Sequence, residues 1–259
     1  WTVIGVLQEA VPGMPTWLIL LAATVAGCVV AAVLNIVIEK VAYRPLRNAP
    51  RLAPLITAIG MSILLQALAM VIWKPNVKSF PSMLPTEPYF IGEAVITPTQ
   101  IMILVVTVMS LAVLMYIVHY TRIGRAMRAT AENPRVAALM GVKPDAVISA
   151  TFAIGAVLAA IAGVMYASNY GTAQHFMGFL PGLKAFTAAV FGGIGNLTGA
   201  MVGGVLLGLI EAIGSGYLGT LTGGLLGSHY ADIFAFIVLI IVLTLRPSGL
   251  LGERVADRA

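Results

Sequence analysis

Charged residues are scarce in this sequence. Only 10% of its 259 residues are Asp, Glu, Lys or Arg, whereas 59% are apolar, and a soluble domain averages about 25% charged and about 45–50% apolar residues. A soluble chain so poor in charge would have too little polar surface to cover its core, so the composition excludes a soluble enzyme, a disordered protein and a nucleic-acid-binding domain. Apolar runs of about 20 residues recur along the chain, which is the length that crosses a bilayer as a helix. These runs do not alternate polar with apolar residues, which also excludes a transmembrane β-barrel.

Cysteine and catalytic motifs are nearly absent as well. Cys28 is the single cysteine, so no disulfide framework and no cysteine-based metal site are possible. His119, His175 and His229 share no ligand spacing and lack acidic companions, so we expect no metal site. The sequence also lacks the Gly-x-x-x-x-Gly-Lys-Ser/Thr loop that binds nucleotide phosphates. We therefore expect no enzyme active site and no cofactor bound by this chain.

The apolar runs predict an all-α polytopic membrane protein with about six full transmembrane helices and a short broken or re-entrant helix. Each full run has the roughly 20 residues that, at about 1.5 Å rise per residue, cross about 30 Å of hydrocarbon. We expect them to form a single transmembrane domain over residues 1–259. The full spans are predicted at residues 16–38, 52–73, 100–120, 146–168, 198–218 and 230–245, and the half-length segment at residues 186–195.

Most Lys and Arg residues are concentrated in residues 39–51, residues 121–145 and the C-terminal tail. Short loops rich in Lys and Arg face the cytoplasm. This distribution places both loops and the C-terminus in the cytoplasm and the proline-rich loop 74–99 outside. Within that external loop we predict a small hairpin at residues 90–96. The loop as a whole is either a structured cap or a plain linker.

The cytoplasmic loop 121–145 carries its own helix signals. Asn133 is a good N-cap, and Pro134 stands at the first helical position, where its missing N–H is harmless. Gly141 suits the left-handed position that ends a helix. These signals predict a helix of about two turns with an apolar stripe, and such a stripe fits a groove on a soluble partner. Alternatively, the loop lies on the membrane with its arginines against acidic lipid. The stripe consists of Val136, Ala137, Leu139 and Met140.

At this loop the sequence resembles a known family. The stretch from Glu132 to Gly141, Glu-Asn-Pro-Arg-Val-Ala-Ala-Leu-Met-Gly, is similar to the coupling-helix loop of ABC transporter permeases, in the variant found in the branched-chain amino acid type. The resemblance is closest to the H-type inner-membrane permease subunit and extends from about residue 30 onward. We expect a family member that lacks roughly the first two membrane segments. Other segments that resemble the family are Glu39–Arg47, Ala49–Leu55, Ile59–Ser62, Phe191–Ala200 and Arg246–Gly252.

The resemblance implies a permease subunit of an ATP-driven importer for branched-chain or other small apolar amino acids in the bacterial inner membrane. The partners it implies are a second permease subunit, two ATPase subunits that hold ATP and Mg²⁺, and a periplasmic substrate-binding protein. The chain is also expected to contact the lipid bilayer and not to bind nucleic acid. Closure of the ATPases would push two coupling helices together and switch access across the membrane. The residues it carries over to the coupling helix are Arg125, Glu132, Asn133, Pro134 and Gly141.

The glycine-rich region after residue 186 suggests both a part of the translocation path and a surface for helix packing. Discontinuous helices often build transporter sites, and non-helical backbone at membrane depth is tolerated only where it is buried or lines a cavity. On this basis the candidate translocation-path residues are Gly193, Gly195, Asn196 and Gln66, although Gln66, like Asn35, more often serves as an interhelical hydrogen-bond partner. Glycines four residues apart let helix backbones approach closely. The predicted packing glycines are Gly199, Gly203, Gly204 and Gly208.

Other functions stay open from the sequence. Related permeases differ little in their motifs, so the same architecture also suits urea, short amides or another small solute. An ion-coupled carrier is a different class, although the scarcity of intramembrane carboxylates weighs against proton coupling. Glu211 lies in the span at residues 198–218, where it either lines a path or reaches water near the outer interface.

Overall fold

The computed structural model describes residues 2–10, 15–47, 49–50, 52–81, 88–91, 94–193, 195–221, 231–246 and 248–252. The chain consists of two compact units, residues 1–177 and 178–259. Among the described residues, five helices are long and apolar enough to cross a membrane. The predicted class, a polytopic helical membrane protein, is confirmed.

The first unit is built from helices that the apolar runs predicted and from shorter ones that they did not. The bounds of α2 and α3 are those predicted, whereas α4 and α7 each begin two residues early because a proline occupies the first helical turn. Helices α1 and α5 were not predicted. The helices are α1 (Thr2–Ala10), α2 (Thr16–Ile38), α3 (Leu52–Trp73), α4 (Pro98–Tyr120), α5 (Arg122–Glu132), α6 (Pro134–Leu139) and α7 (Pro144–Tyr170).

Helices α2 and α7 form the main packing interface of this unit. The Asn35 side-chain amide donates to the carbonyl of Phe152 at 2.8 Å, so the interhelical hydrogen bond predicted for Asn35 is confirmed. The rings of Tyr43 and Phe152 pack with centroids 5.2 Å apart. Beyond residue 38, α2 continues into a π-helical turn, Glu39–Tyr43, and a 3₁₀ turn, Arg44–Leu46.

Short strands order the loop between α3 and α4. Strand β1 (Lys78–Ser79) pairs antiparallel with β4 (Thr172–Ala173) just after α7, and β2 (Tyr89–Ile91) pairs with β3 (Ala94–Ile96). The predicted hairpin at residues 90–96 is therefore confirmed, with residues 92–93 outside the described part. An apolar core cluster lies next to β1 and β4, because Phe80 directly follows β1 and Ala173 of β4 packs against the cluster. The buried members of this cluster are Ile4, Ile19, Leu20, Phe80 and Ala167.

The second unit contains α8 (Phe179–Gly192), α9 (Leu197–Leu221) and α10 (Ala231–Leu245). Helix α8 begins seven residues before the predicted half-length segment at residues 186–195 and ends three residues before its end. The prediction of that start was wrong because Pro181 and its neighbouring glycines resemble helix breakers, yet proline in a first turn loses no hydrogen bond. Ala188 of α8 and Leu207 of α9 form the buried core of this unit.

Candidate functional site

Helix α5 is fastened to the end of α4 by a corner at Thr121. The Thr121 hydroxyl accepts from the Gly124 N–H at 3.1 Å and so caps α5. Gly124 is buried, and a side chain at this position would collide with the carbonyls of Ile117 and Val118. The Arg128 guanidinium donates to the Val118 carbonyl, which lies at the end of α4. The loop is therefore anchored rigidly to a predicted membrane span.

Helix α6 has the start and stop that its sequence predicted. The Asn133 side-chain oxygen accepts from the N–H groups of Arg135 and Val136 at 3.0 and 3.2 Å. Pro134 occupies the first turn, and Gly141 has a φ of +84° just after the helix. The predicted caps are confirmed, and a role of this helix in ATPase coupling stays a prediction.

The apolar side chains of α6 divide between the protein interior and its surface. Ala137 is buried, whereas Leu139 is 86% exposed and Met140 81% exposed. Val136 is about half exposed, and we call Val136, Leu139 and Met140 the α6 surface. The five residues carried over to the coupling helix, Arg125, Glu132, Asn133, Pro134 and Gly141, are all exposed.

A buried carboxylate lies in the π-helical turn that follows α2. Glu39 is only 1% exposed, and it accepts from the Arg47 guanidinium at 2.6 Å and from the Ser149 hydroxyl at 2.7 Å. Arg47 also pairs with Asp145 in the first turn of α7, and Asp145 pairs in turn with Arg44. A carboxylate removed from water is tolerated only when it is paired and hydrogen-bonded. Glu39 thus depends on partners from both the 39–51 loop and α7.

The same pairing changes the titration of Arg47. Burial by itself would lower the pKa of its guanidinium, but the hydrogen bonds to Asp145 and Glu39 outweigh that effect and raise the pKa above its usual range. Arg47 is therefore a permanent cation between two carboxylates. We call Glu39, Arg44, Arg47, Asp145 and Ser149 the loop–α7 network. Sequence reasoning missed it, because Ser149 and Asp145 are about 100 residues from Glu39 and Arg47 along the chain, and nothing in either segment indicates the other.

The first unit also contains two mostly apolar cavities. One has a volume of about 670 Å³ between α2, α4 and α7, with Thr24 and Ser110 among its lining residues, and the other has about 400 Å³ between α4 and α7. Gln66 lines neither of them; its side-chain amide donates to the Ser62 hydroxyl within α3 at 3.1 Å. Within the described part of the chain, no three His, Cys, Asp or Glu side chains are grouped as metal ligands.

The break between α8 and α9 is held by the segment after α10. The Asn196 amide donates to the Leu251 carbonyl at 2.8 Å, and its oxygen accepts from the Gly199 N–H at 3.0 Å. The Leu251 N–H donates to the Gly192 carbonyl at 2.9 Å. Gly193 has a φ of +116°, and it packs so closely on Gly252 that a side chain there would collide with the backbone. A place for Gly193, Gly195 and Asn196 in a translocation path stays a prediction.

The predicted packing glycines occupy two different surfaces of α9. A side chain at Gly199 or Gly203 would collide with the backbone of α8 at Gly192 or Ala188. Gly204 and Gly208 have no neighbour within 4 Å in the described part of the chain. Farther along the same pair of helices, the Lys184 ammonium of α8 lies 2.7 Å from a carboxylate oxygen of Glu211.

Known proteins resemble this chain over most of its length. Residues 2–243 match the family model described as branched-chain amino acid transport system / permease component. The chain is 43% identical over 242 residues to the high-affinity branched-chain amino acid transport system permease protein LivH of Escherichia coli (strain K12), which covers 92% of this chain and 76% of that protein. It is 45% identical over 241 residues to the permease protein BraD of the corresponding system of Pseudomonas aeruginosa, covering 91% of this chain and 76% of that protein.

A more distant similarity involves a different solute. The chain is 32% identical over 134 residues to the autoinducer 2 import system permease protein LsrC of Photorhabdus laumondii, covering 49% of this chain and 38% of that protein. No solved structure matches the chain.

Proposed function

The chain belongs to the family of branched-chain amino acid transport permease components, and from this premise we propose that it forms the translocation path of an ATP-driven importer for branched-chain or other small apolar amino acids. The similarity to LivH and BraD over more than nine-tenths of the chain supports this substrate class. Proteins of this family are transporters and not enzymes. ATP and Mg²⁺ are therefore assigned to two partner ATPase subunits.

The exposed α6 surface carries the coupling part of the proposal. Leu139 and Met140 are each more than 80% exposed in a loop that the distribution of Lys and Arg places in the cytoplasm. Two large apolar side chains at the end of one short capped helix favour a groove on a soluble protein as their partner. We assign that groove to an ATPase subunit, with Arg125, Glu132, Asn133, Pro134 and Gly141 as the coupling residues.

The anchoring of α5 and α6 explains how movement of an ATPase would reach the membrane. Gly124 and Arg128 fix α5 to the end of α4, and α7 begins just after α6. The loop–α7 network adds the end of α2 through Glu39 and Arg47. Force applied to α6 would therefore move the cytoplasmic ends of three predicted spans together. Such a rigid-body movement switches access between the two sides of the membrane.

The remaining partners and the orientation follow from the family and from charge. We assign a second permease subunit, either a copy or a paralogue, and a periplasmic substrate-binding protein that delivers the amino acid. The Lys and Arg distribution supports a cytoplasmic position for the C-terminus and for the loops 39–51 and 121–145. We assign the chain to the bacterial inner membrane, because the similar permeases LivH and BraD come from bacteria.

The coupling proposal is tested by ATP-driven uptake of L-leucine into proteoliposomes that contain the complete transporter. We expect Leu139→Asp to abolish uptake, whereas the matched Leu139→Met variant, which keeps the apolar surface, retains it. Glu132→Gln and Gly141→Val are expected to hydrolyse ATP without matching uptake while they insert normally. Normal substrate-stimulated uptake by Leu139→Asp would contradict the assignment of α6.

A different solute is the second candidate, and the similarity to an autoinducer 2 permease over 49% of the chain favours it. Urea and short amides belong to the same alternative. A binding assay on the substrate-binding protein of the system, with L-leucine, L-valine and urea as ligands, separates these possibilities.

A further inference from the structure

Helices α8 and α9 pack as an antiparallel pair whose contacts recur every four residues. Starting from the break, Gly192 meets Gly199 and Gly203, and Ala188 packs against Leu207. Lys184 then meets Glu211 at 2.7 Å. Small residues bring the two backbones together at one end of this contact surface, and a pair of opposite charges bridges them at the other.

This ion pair is unusual in its position within membrane helices and in the solvent exposure of its side chains. Both residues lie within helices that we assign to the membrane, where ionisable side chains are rare and generally mark a substrate or ion pathway. Packing of α8 on α9 is already provided by the glycine contacts and by Ala188 with Leu207. The Lys184 and Glu211 side chains remain 29% and 32% exposed. They therefore contact each other and are still accessible to a solute.

The surface beside Glu211 has room for a ligand. Gly204 and Gly208 precede Glu211 by seven and three residues, so all three lie on one side of α9. A side chain added at either glycine would meet no atom within 4 Å in the described part of the chain. An open apolar surface thus leads along α9 to the carboxylate.

We propose that Lys184 and Glu211 form a binding site for the zwitterionic head of an amino acid in the translocation path. Lys184 binds the α-carboxylate, Glu211 binds the α-ammonium, and the apolar side chain lies along the surface of Gly204 and Gly208. This inference rests on the proposed transport function.

The ion pair suits a zwitterion for a physical reason. When the site is empty, Lys184 and Glu211 pair with each other; when an amino acid enters, Lys184 pairs with its carboxylate and Glu211 with its ammonium. Neither state leaves an unpaired charge at membrane depth, which would be costly. A solute with only one charge can pair with only one of these two side chains, so the site favours a zwitterion over carboxylates and amines of similar size.

The direct test measures binding of radiolabelled L-leucine to the purified permease–ATPase complex in lipid nanodiscs, without the substrate-binding protein. We expect Lys184→Met and Glu211→Gln each to weaken binding by about ten-fold or more, because each removes a charge-assisted contact. Ser215→Ala, a change one turn beyond Glu211 that keeps both charges, is the matched control and should bind as the unaltered complex does. Binding within two-fold of the unaltered complex in both charge variants would overturn the proposal.

A charge exchange separates a ligand site from a purely structural ion pair. In the double variant Lys184→Glu/Glu211→Lys the internal pair is kept, but the anchors for carboxylate and ammonium change places while the apolar surface does not. Exchanging two of the three contacts around the α-carbon inverts the handedness of the site, so we expect the preference for L-leucine over D-leucine to reverse. Restored binding with an unchanged preference for L-leucine would show a structural pair and overturn the proposal.

A second measurement decides the matter even if the exchanged variant does not assemble. Isoamylamine has the side chain and the ammonium group of leucine without its carboxylate. In the unaltered complex it should compete at least ten-fold less well than leucine, and in Lys184→Met it should compete equally well. The proposed site is overturned if isoamylamine competes less well than leucine by the same factor in the unaltered complex and in Lys184→Met. ATP-driven L-leucine uptake by the unaltered complex is measured in parallel. Absence of this uptake would reject the transport function itself. Uptake by the unaltered complex, together with unchanged leucine binding in the charge variants, would reject the Lys184–Glu211 site alone.

Discussion

Replacing Arg47 by methionine should destabilise the first unit strongly. The substitution keeps an unbranched side chain of similar length but removes the cation that donates to the buried Glu39 carboxylate at 2.6 Å. Removing one partner of a buried ion pair costs about 3–5 kcal/mol. The Arg47 side chain is 29% exposed, so water partly compensates and we expect the lower end of this range, about 3 kcal/mol.

The assay is thermal unfolding of the detergent-solubilised protein, followed by the loss of its monodisperse gel-filtration peak. For a chain of this size, 1 kcal/mol corresponds to about 2–4 °C, so the apparent Tm of Arg47→Met should fall by about 6–12 °C. Arg44→Met is the matched control. Its ion pair with Asp145 is half exposed on both sides, and exposed pairs contribute little to stability, so its Tm should stay unchanged.

A double variant tests the cause of the effect. Glu39→Met together with Arg47→Met removes both charges, so no buried carboxylate is left without a cation, and most of the lost stability should return. The reasoning is refuted if Arg47→Met melts with the unaltered protein, or if the double variant melts lower than Arg47→Met alone.

Three further predictions concern the caps and helix interfaces. Asn133→Ala removes the acceptor for two N–H groups of α6 and should cost about 1 kcal/mol of local stability, seen as faster amide hydrogen exchange in α6 and not in α7. Gly203→Leu should prevent the close approach of α8 and α9 and lower the apparent Tm, whereas Gly204→Leu, directed into open space, should not; equal effects would contradict the assigned packing surface. Asn35→Leu removes the hydrogen bond to Phe152 and should lower stability by about 0.6 kcal/mol, the average for such bonds in membranes, which a change in the unfolding midpoint in SDS would detect.

The long apolar helices were predictable because the bilayer imposes one simple requirement on sequence. A span must satisfy its own backbone hydrogen bonds and stay apolar for about 20 residues, so the bounds of α2 and α3 agree with the prediction. The caps of α6 were also predictable from the sequence, and Asn133, Pro134 and Gly141 lie where their conformational preferences indicated. In each case the determining residues are adjacent in the sequence.

The missed features depend on contacts between distant residues. Helix α5 is rich in arginine and has few large apolar side chains, and its position is determined by the contact of Gly124 with the end of α4. Helix α1 is short, and Ile4 is its single buried residue. The partners of Glu39 lie in another helix, and the partner of Glu211 depends on how α8 and α9 cross. A single sequence contains no signal for these pairings.

The measurement that tests the central proposal most directly is uptake of L-leucine into proteoliposomes by the complete transporter, with the energy source as the variable. We expect uptake that requires ATP, both ATPase subunits and the substrate-binding protein, that continues when proton and sodium gradients are collapsed, and that is lost in Leu139→Asp but not in Leu139→Met. Uptake by this chain alone, driven by a proton or sodium gradient and insensitive to Leu139→Asp, would contradict the proposal.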